Sequence, residues 1–417
     1  MKRLLNPQSW APAILAWSYL LLLPFGHAFE LPTLVMAILG GMLAWKHGKP
    51  FTCTAGAKTL GILFLCIWIP IVLSIPGSLD VRSTLTPALT FPRIYFAGLY
   101  LLWILRDSLV RQRLFKLSAW LMMVWIVDAL IQAAIGYDLL GYAYPTRLNG
   151  LFGTHSWKLG LTLAMLSPLL WEYASRHGSK GQLVLAWAGS AAVVLLASNR
   201  ESWIMFALAT LLWGWVYAQR LGFHPAKLLA PLTLVAVFAG IGAYQLNPKF
   251  SARVDQSKAA LSFNYTGLEA ASSMRVHLWN NAFTAALDHP VNGVGVSGYK
   301  YAYALYAEKN DPWVNPDGTG MLYAHQLLLE VASETGGIGL VGLLVYFVVL
   351  LRASRGVSAH PLAWAAWLGA FAWLFPLNTH TSFYSAHWSV LLGWLIAVSL
   401  ARDDQSLALR PPSTAST

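Results

Sequence analysis

Three residues, two arginines and a histidine, stand out in a chain that otherwise runs apolar. Arg200 sits in Ser198-Asn199-Arg200-Glu201-Ser202, Arg275 follows Ser272-Ser273-Met274, and His325 heads His325-Gln326-Leu-Leu-Leu-Glu330-Val-Ala-Ser-Glu334-Thr-Gly336-Gly-Ile-Gly339. A guanidinium binds phosphate through paired charge-assisted hydrogen bonds, and an imidazole accepts a proton near neutral pH. Arg200 lies between two apolar runs joined by almost no loop, so its charge needs an anionic partner at the membrane rim. That partner is a bound ligand or neighbouring Glu201, unless the side chain simply snorkels to the rim. Arg275 falls in the first turn of a helix that Ser272-Ser273 can cap, where the macrodipole disfavours a cation but a bound phosphate would reverse the sign. His325 is expected on a helix whose apolar face continues through Leu328, Leu329 and Ala332. Alone it reads as a satisfied core histidine. Beside two arginines it reads as a general base, a role typically contributing about 10²–10⁴ in rate. Arg147 and His155 in Thr146-Arg147-Leu-Asn149-Gly150-Leu-Phe152-Gly-Thr-His155, with Arg82 and Arg93 in another short connection, would complete a basic pocket at headgroup depth suited to a diphosphate.

The elements that must position these residues are membrane helices. The 417 residues are 57% hydrophobic and 11% charged, far from the roughly 25% charge of soluble domains. A net charge of +11 would suggest nucleic acid in a soluble protein. Here it fits basic residues flanking spans and contacting anionic headgroups, so nucleic acid is excluded as a partner and membrane lipids are expected. Apolar runs at roughly 10–27, 31–46, 59–78, 90–105, 115–136, 157–174, 182–198, 202–219, 227–246, 337–352, 361–377 and 385–401 predict about twelve spans. The first follows Met1-Lys-Arg and is expected to stay uncleaved. Cys53 and Cys66 offer neither a disulfide framework nor a zinc pair.

Basic residues set the orientation. With the N-terminus in the cytoplasm, Lys46, Lys49, Lys58, Arg106, Arg111, Arg113, Lys116, Arg176, Lys180, Arg220, Lys227, Arg352 and Arg355 fall inside. The opposite short connections hold Arg82, Arg93, Arg147, Lys158 and Arg200. An even span count returns the C-terminus to the cytoplasm. The chain then divides into spans one to nine over 1–246, an outward helical loop over 247–336, spans ten to twelve over 337–402, and a disordered tail over 403–417.

The long loop is rich in Trp, Tyr and Leu at helical spacing, unlike a disordered linker. One helix should carry Leu278, Trp279, Ala282, Phe283 and Ala286 on a single face and stop at Asp288-His289-Pro290, with a turn at Gly293-Val-Gly295. A second should run from about Thr319 to Thr335 and end at Gly336-Gly337. Outer loops hold no Asp-x-Asp pattern, and no phosphate-binding P-loop, paired-cysteine or His-Glu-x-x-His motif occurs, so no metal or cofactor is implied. Asp128, inside the fifth apolar run, is the clear ionisable residue at mid-span and the one hint of a transport path.

Taken in order, Ser198-Asn-Arg200-Glu-Ser-Trp203, Arg275-(x)3-Trp279, His289-Pro-Val-Asn-Gly293-Val-Gly295 and His325-(x)4-Glu330-(x)3-Glu334-Thr-Gly336-(x)2-Gly339 resemble the O-antigen ligase and polymerase superfamily. The resemblance is strongest to the lipopolysaccharide O-antigen ligases and covers nearly the whole chain, with the motifs between about 145 and 340. It implies an all-α polytopic fold of the GT-C-like glycosyltransferase class. It further implies metal- and cofactor-free transfer of O-antigen from undecaprenyl diphosphate to lipid A–core on the periplasmic face of the bacterial inner membrane. By the same resemblance Arg200 and Arg275 engage the diphosphate and His325 is the base. Arg147, Arg82 and Arg93 are secondary diphosphate ligands, and His155, Glu330 and Gln326 are supporting residues. O-antigen polymerase and protein O-oligosaccharyltransferase use the same donor and stand as alternatives. A polytopic transporter or flippase, resting on Asp128, is the alternative of another class.

Overall fold

The computed structural model describes residues 2–143, 147–154, 156–246, 248–309, 311–375 and 381–402. Its helices are α1 Ala11–Leu22, α2 Glu30–Thr52, α3 Ala55–Leu73, α4 Val81–Thr90, α5 Pro92–Ile104, α6 Ser108–Ile135, α7 Lys158–His177, α8 Lys180–Leu196 and α9 Arg200–Arg220. They continue with α10 Pro225–Leu246, α11 Pro248–Lys258, α12 Tyr265–Ser272, α13 Val276–Asp288, α14 Tyr299–Tyr306, α15 Leu327–Ala353, α16 Pro361–Trp373 and α17 Ala386–Leu400. No strand occurs among the described residues; Tyr137 and Ala143 make an isolated bridge. Each of the twelve apolar runs coincides with a helix. Among the described residues, three stretches are long and apolar enough to cross a membrane: Ala55–Gly77, Ser108–Ile135 and Leu327–Ala353. Ala11–Leu22, Lys180–Leu196 and Ala386–Leu400 are shorter apolar helices.

Local chemistry starts the helices where they begin. Asp107 accepts the Leu109 and Val110 N–H groups at the head of α6, and Ser179 with Gln182 forms a reciprocal capping box on α8. Asn199 caps α9 through the Glu201 N–H at 3.1 Å. Helix α7 is apolar on nearly every side, with Leu159 through Trp171 buried without a break, as expected of a helix enclosed by others. It packs against α6, α8, α9 and α16. Helix α16 continues the core to α17, α17 to α5, and α5 to α2.

Polar residues tie the two ends of this bundle. At the C-terminal ends of α7 and α9, the fully buried Glu172 carboxylate accepts from Arg176 at 2.9 Å, Arg220 at 2.6 Å and the Trp213 indole at 2.9 Å. Arg220 also donates to the Ser358 carbonyl. A buried carboxylate persists when charge and hydrogen bonds both satisfy it, as here. Helix α9 is about 30 Å long, so Arg200 lies at the opposite end. There Asp128, on α6, accepts the Leu139 and Leu151 N–H groups, each at 2.9 Å. One turn further, the Gln132 side-chain oxygen Oε1 accepts the Asn149 N–H at 3.0 Å and the Gly150 N–H at 2.8 Å. Asp128 therefore folds the loop that carries Arg147.

The polar excursion has its own small core. Leu278, Ala282, Tyr299, Tyr303 and Ala324 pack together, as do Ala285, Val294 and Ala302. Helix α13 ends at Asp288 as the sequence predicts, but its buried face is Leu278, Ala282 and Ala285. Phe283, expected on that face, is 56% exposed. The helix expected from Thr319 begins at Leu327 instead. Pro312, Pro316, Gly318 and Gly320 precede it, and the Asn315–Thr319 backbone bond closes a turn there.

Helix α15 continues through Gly336-Gly337 into the span but is broken at Gly336, whose φ of 63° and ψ of −157° only glycine adopts readily. The segment 290–295 fills the break. Val294 and Gly295 N–H groups donate to the Ser333 and Glu334 carbonyls, while Gly337 and Ile338 N–H groups donate to the Pro290 and Val291 carbonyls. Backbones come so close that a Cβ on Gly336 would lie 2.4 Å from Val291, and one on Gly293 2.3 Å from Glu334. The motif glycines thus lock the excursion onto the span.

Candidate active site

Four arginines converge where the excursion meets the bundle. Arg147, Arg200, Arg253 and Arg275 line one cavity of about 210 Å³, together with Ser198, Asn199, Glu201, Ser272, Ser273 and Trp279. Each arginine arrives on a different element: the loop held by Asp128, the head of α9, α11, and the head of α13. The Asn199 cap places Arg200 at the first helical position with its side chain toward the excursion. Its guanidinium donates to Ser257 Oγ at 3.2 Å, to Ser273 Oγ at 2.7 Å and to the Ala271 carbonyl. Arg253 donates to Gln256 at 2.9 Å. The Arg147 guanidinium lies 5.7 Å from the Trp157 ring centroid.

Among the described residues Glu201 is the one carboxylate lining this cavity, against four guanidinium groups. Burial, then the neighbouring Arg253, Arg275 and Arg200, push the Arg147 guanidinium down to about 10. Arg200 is lowered by burial and by Arg275 and Arg253. Arg275 is lowered mainly by burial, against which Glu201 works. The Arg200–Glu201 pair weighed in the sequence is therefore not how Arg200 is held: its donors go to the excursion, and Glu201 acts electrostatically on Arg275. Mutually repelling, partly desolvated cations make a strong receptor for a compact dianion.

The backbone at this site is strained. Ser198, Ser273, Met274 and His325 all have left-handed φ, between 53° and 62°. Such conformations cost of order 1–3 kcal/mol each and cluster where side chains must be aimed. Ser198 turns the chain between α8 and α9; Ser273 and Met274 turn it between α12 and α13. The serines are not the cap of α13. Glu269 caps it, accepting the Val276 and His277 N–H groups at 3.3 and 3.0 Å. Arg275 occupies the position before the first turn, with its N–H donated to Ser272 Oγ at 3.1 Å.

His325 stands outside the expected helix. It precedes α15, 5% exposed, and its ring packs on Tyr323 at 4.2 Å. Burial, with Glu330 and Glu201, pushes the Tyr323 phenol up, against a smaller opposing effect of Arg275. Gln326 caps α15 by accepting the Leu329 N–H at 2.7 Å. Glu330 accepts from Ser382 Oγ and the Phe383 N–H, anchoring the approach to α17. The Glu334 carboxylate accepts backbone N–H groups of Ser297 and Tyr299 at the head of α14.

Two expected arginines lie elsewhere. Arg93 binds Glu30 with two hydrogen bonds, at 2.9 and 2.7 Å, and donates to the Thr90 carbonyl. Arg82 is exposed on α4. Neither lines the cavity. His155 falls outside the described residues. Arg253, Tyr323 and the electrostatic role of Glu201 were not read from the sequence. Arg253 carried a usable signal, being an outward cation like Arg200, but it lies in the long excursion, where polar and charged residues are less conspicuous than in a short connection.

Residues 184–344 match the family model described as O-Antigen ligase. The similarity to that family lies in this segment, which is less than half of the chain. The match spans Arg200, Arg253, Arg275 and His325 and leaves Arg147 outside. With the three long apolar helices, it makes this an integral membrane protein. No curated protein matches the chain.

Proposed function

We propose that this protein is a lipopolysaccharide O-antigen ligase, transferring the O-antigen glycan from undecaprenyl diphosphate to a hydroxyl of lipid A–core. The observation that carries the reading is the convergence of Arg147, Arg200, Arg253 and Arg275 on one cavity. The twelve helices cross the inner membrane with both termini in the cytoplasm, and the 247–336 excursion closes over the periplasmic rim. The donor's polyprenyl chain runs in the bilayer and its diphosphate enters the arginine cavity. Guanidinium groups bind both phosphates and strengthen their hold as the anomeric bond breaks and the diphosphate leaves with the electron pair. The acceptor hydroxyl attacks from the opposite face and His325 takes its proton, so the anomeric centre inverts. Tyr323 orients the imidazole. No metal takes part in these steps.

A polymerase would use the same donor but a lipid-linked acceptor, and such polymerases more often carry two arginine-rich outer loops where this chain has one. Deleting the gene should leave core lipopolysaccharide without O-antigen while polymeric lipid-linked O-antigen accumulates. A single repeat attached to core would instead assign polymerisation. Expressing His325→Ala or Arg275→Ala in the deletion strain should leave the ligated ladder missing from a lipopolysaccharide gel at normal protein levels. Full ladders from both variants would overturn the assignment.

A further inference from the structure

At the far end of α6 from the arginine cavity lie two adjoining cavities that share Leu5 and Trp103. Ser108 and Gln132 are separated by about 36 Å of helix, so this is a separate site. The larger cavity, about 590 Å³, runs along Leu39, Met42 and Leu43 of α2 and ends at Lys46 and His47. The smaller, about 280 Å³, is lined by Arg106 and Asp107. Gly48, with a φ of 53° and ψ of −143°, breaks α2 just past His47 and turns Phe51 into the interior. The Arg106 guanidinium sits 4.8 Å from the Phe51 ring and 4.1 Å from the Trp103 ring. His47 stacks on the same Trp103 at 4.3 Å.

Arg106 is held by aromatic faces, and its Nη2 has no acceptor among the described residues. Burial pushes this guanidinium down to about 10. The carboxylate beside it, Asp107, is already engaged in capping α6. Cation–π contact with desolvated aromatics stabilises the charge but satisfies no N–H. The position completes the argument. Arg106 lies two residues before Ser108–Ile135, a helix long and apolar enough to cross a membrane, and so lies at headgroup depth. Met42 and Trp45, at the larger cavity, are 42% and 90% exposed, an outward apolar surface continuous with the basic end.

We propose that these cavities bind one anionic membrane lipid, its phosphate held by Arg106, Lys46 and His47 and its acyl chain lying along Leu39, Met42 and Leu43. A free phosphate compound would share the headgroup chemistry but would leave the apolar wall unused. The site is independent of the glycan chemistry at the opposite end.

The test uses the purified full-length protein in zwitterionic detergent. It is titrated separately with phosphatidylglycerol, phosphatidylcholine and inorganic phosphate. Retained lipid is read by native mass spectrometry and the thermal midpoint is followed in parallel. Phosphatidylglycerol should be retained as one tight molecule and raise the midpoint, and the other two should do neither. Lys46→Gln/Arg106→Gln should retain at least fivefold less, and Lys116→Gln, an exposed cation at the same end, should retain as wild type. Lys46→Gln alone, at an exposed position, should give part of the loss even if the double variant fails to fold. Equal retention by Lys46→Gln and wild type, equal retention of phosphatidylcholine, or the same midpoint rise with inorganic phosphate would each overturn the proposal.

Discussion

Arg200 shows how much a single residue's position constrains its chemistry. Its guanidinium bridges Ser257, Ser273 and the Ala271 carbonyl, a fork that a lysine ammonium cannot reproduce. Arg200→Lys should therefore lower ligation by about 10²-fold or more, the usual cost of removing a transition-state donor. Quantified ladder formation in the deletion strain measures this, and wild-type ladders would reduce Arg200 to simple charge balance. His325 poses a sharper question, because its left-handed φ of 53° could itself explain a defect in His325→Ala. Asparagine tolerates that conformation better than alanine does. His325→Asn should fold and purify like wild type yet give no ladder. A full ladder from it would mean that the imidazole's basicity is not used.

At the scale of elements, two devices hold the site together. The 290–295 segment satisfies the backbone groups freed by the break in α15. Gly336→Ala should cost at least about 1–3 kcal/mol from the strained φ and ψ alone, with the close approach to Val291 adding to it. A lowered thermal midpoint checks this, and an unchanged midpoint would show that the strap is dispensable. Asp128 is the second device. Its two backbone hydrogen bonds make it a foundation for the Arg147 loop rather than a stop on a transport path. Asp128→Ala should cost about 1–3 kcal/mol for buried N–H groups left unpaired. It should also speed hydrogen exchange in 137–152, while exchange at α13 stays unchanged.

Across the whole molecule, charge is sorted between two ends. Arg176 and Arg220 meet Glu172 at one end, and Arg147, Arg200, Arg253 and Arg275 meet at the other with little to neutralise them. Repulsion among the second group is a standing cost that a bound diphosphate would remove. A short-chain polyprenyl diphosphate at about a hundred times its dissociation constant should add about 2.7 kcal/mol of stability. The matching rise in thermal midpoint should shrink at high salt and disappear in Arg275→Ala. An equal rise in that variant would place the diphosphate elsewhere.

The linear sequence by itself determined the helices, because apolar runs and caps act locally. All twelve runs lie on helices, α13 stops at Asp288, and both Gly293 and Gly295 take left-handed turns. It also marked Arg147, Arg200 and Arg275, since an unexpected cation is conspicuous in an apolar chain. Only the tertiary structure decided which cations share a cavity. Arg93 looked equivalent to Arg147 until Glu30, on a different helix, proved to occupy it, and Arg253, unmarked in the sequence, joins the others through α11. The conformation of His325 was likewise hidden, because it depends on a proline- and glycine-rich approach and on a cap at Gln326 that competes with helix propensity. Periodicity reports on a residue's own helix; convergence depends on contacts between residues far apart in the chain, and these leave no periodic trace.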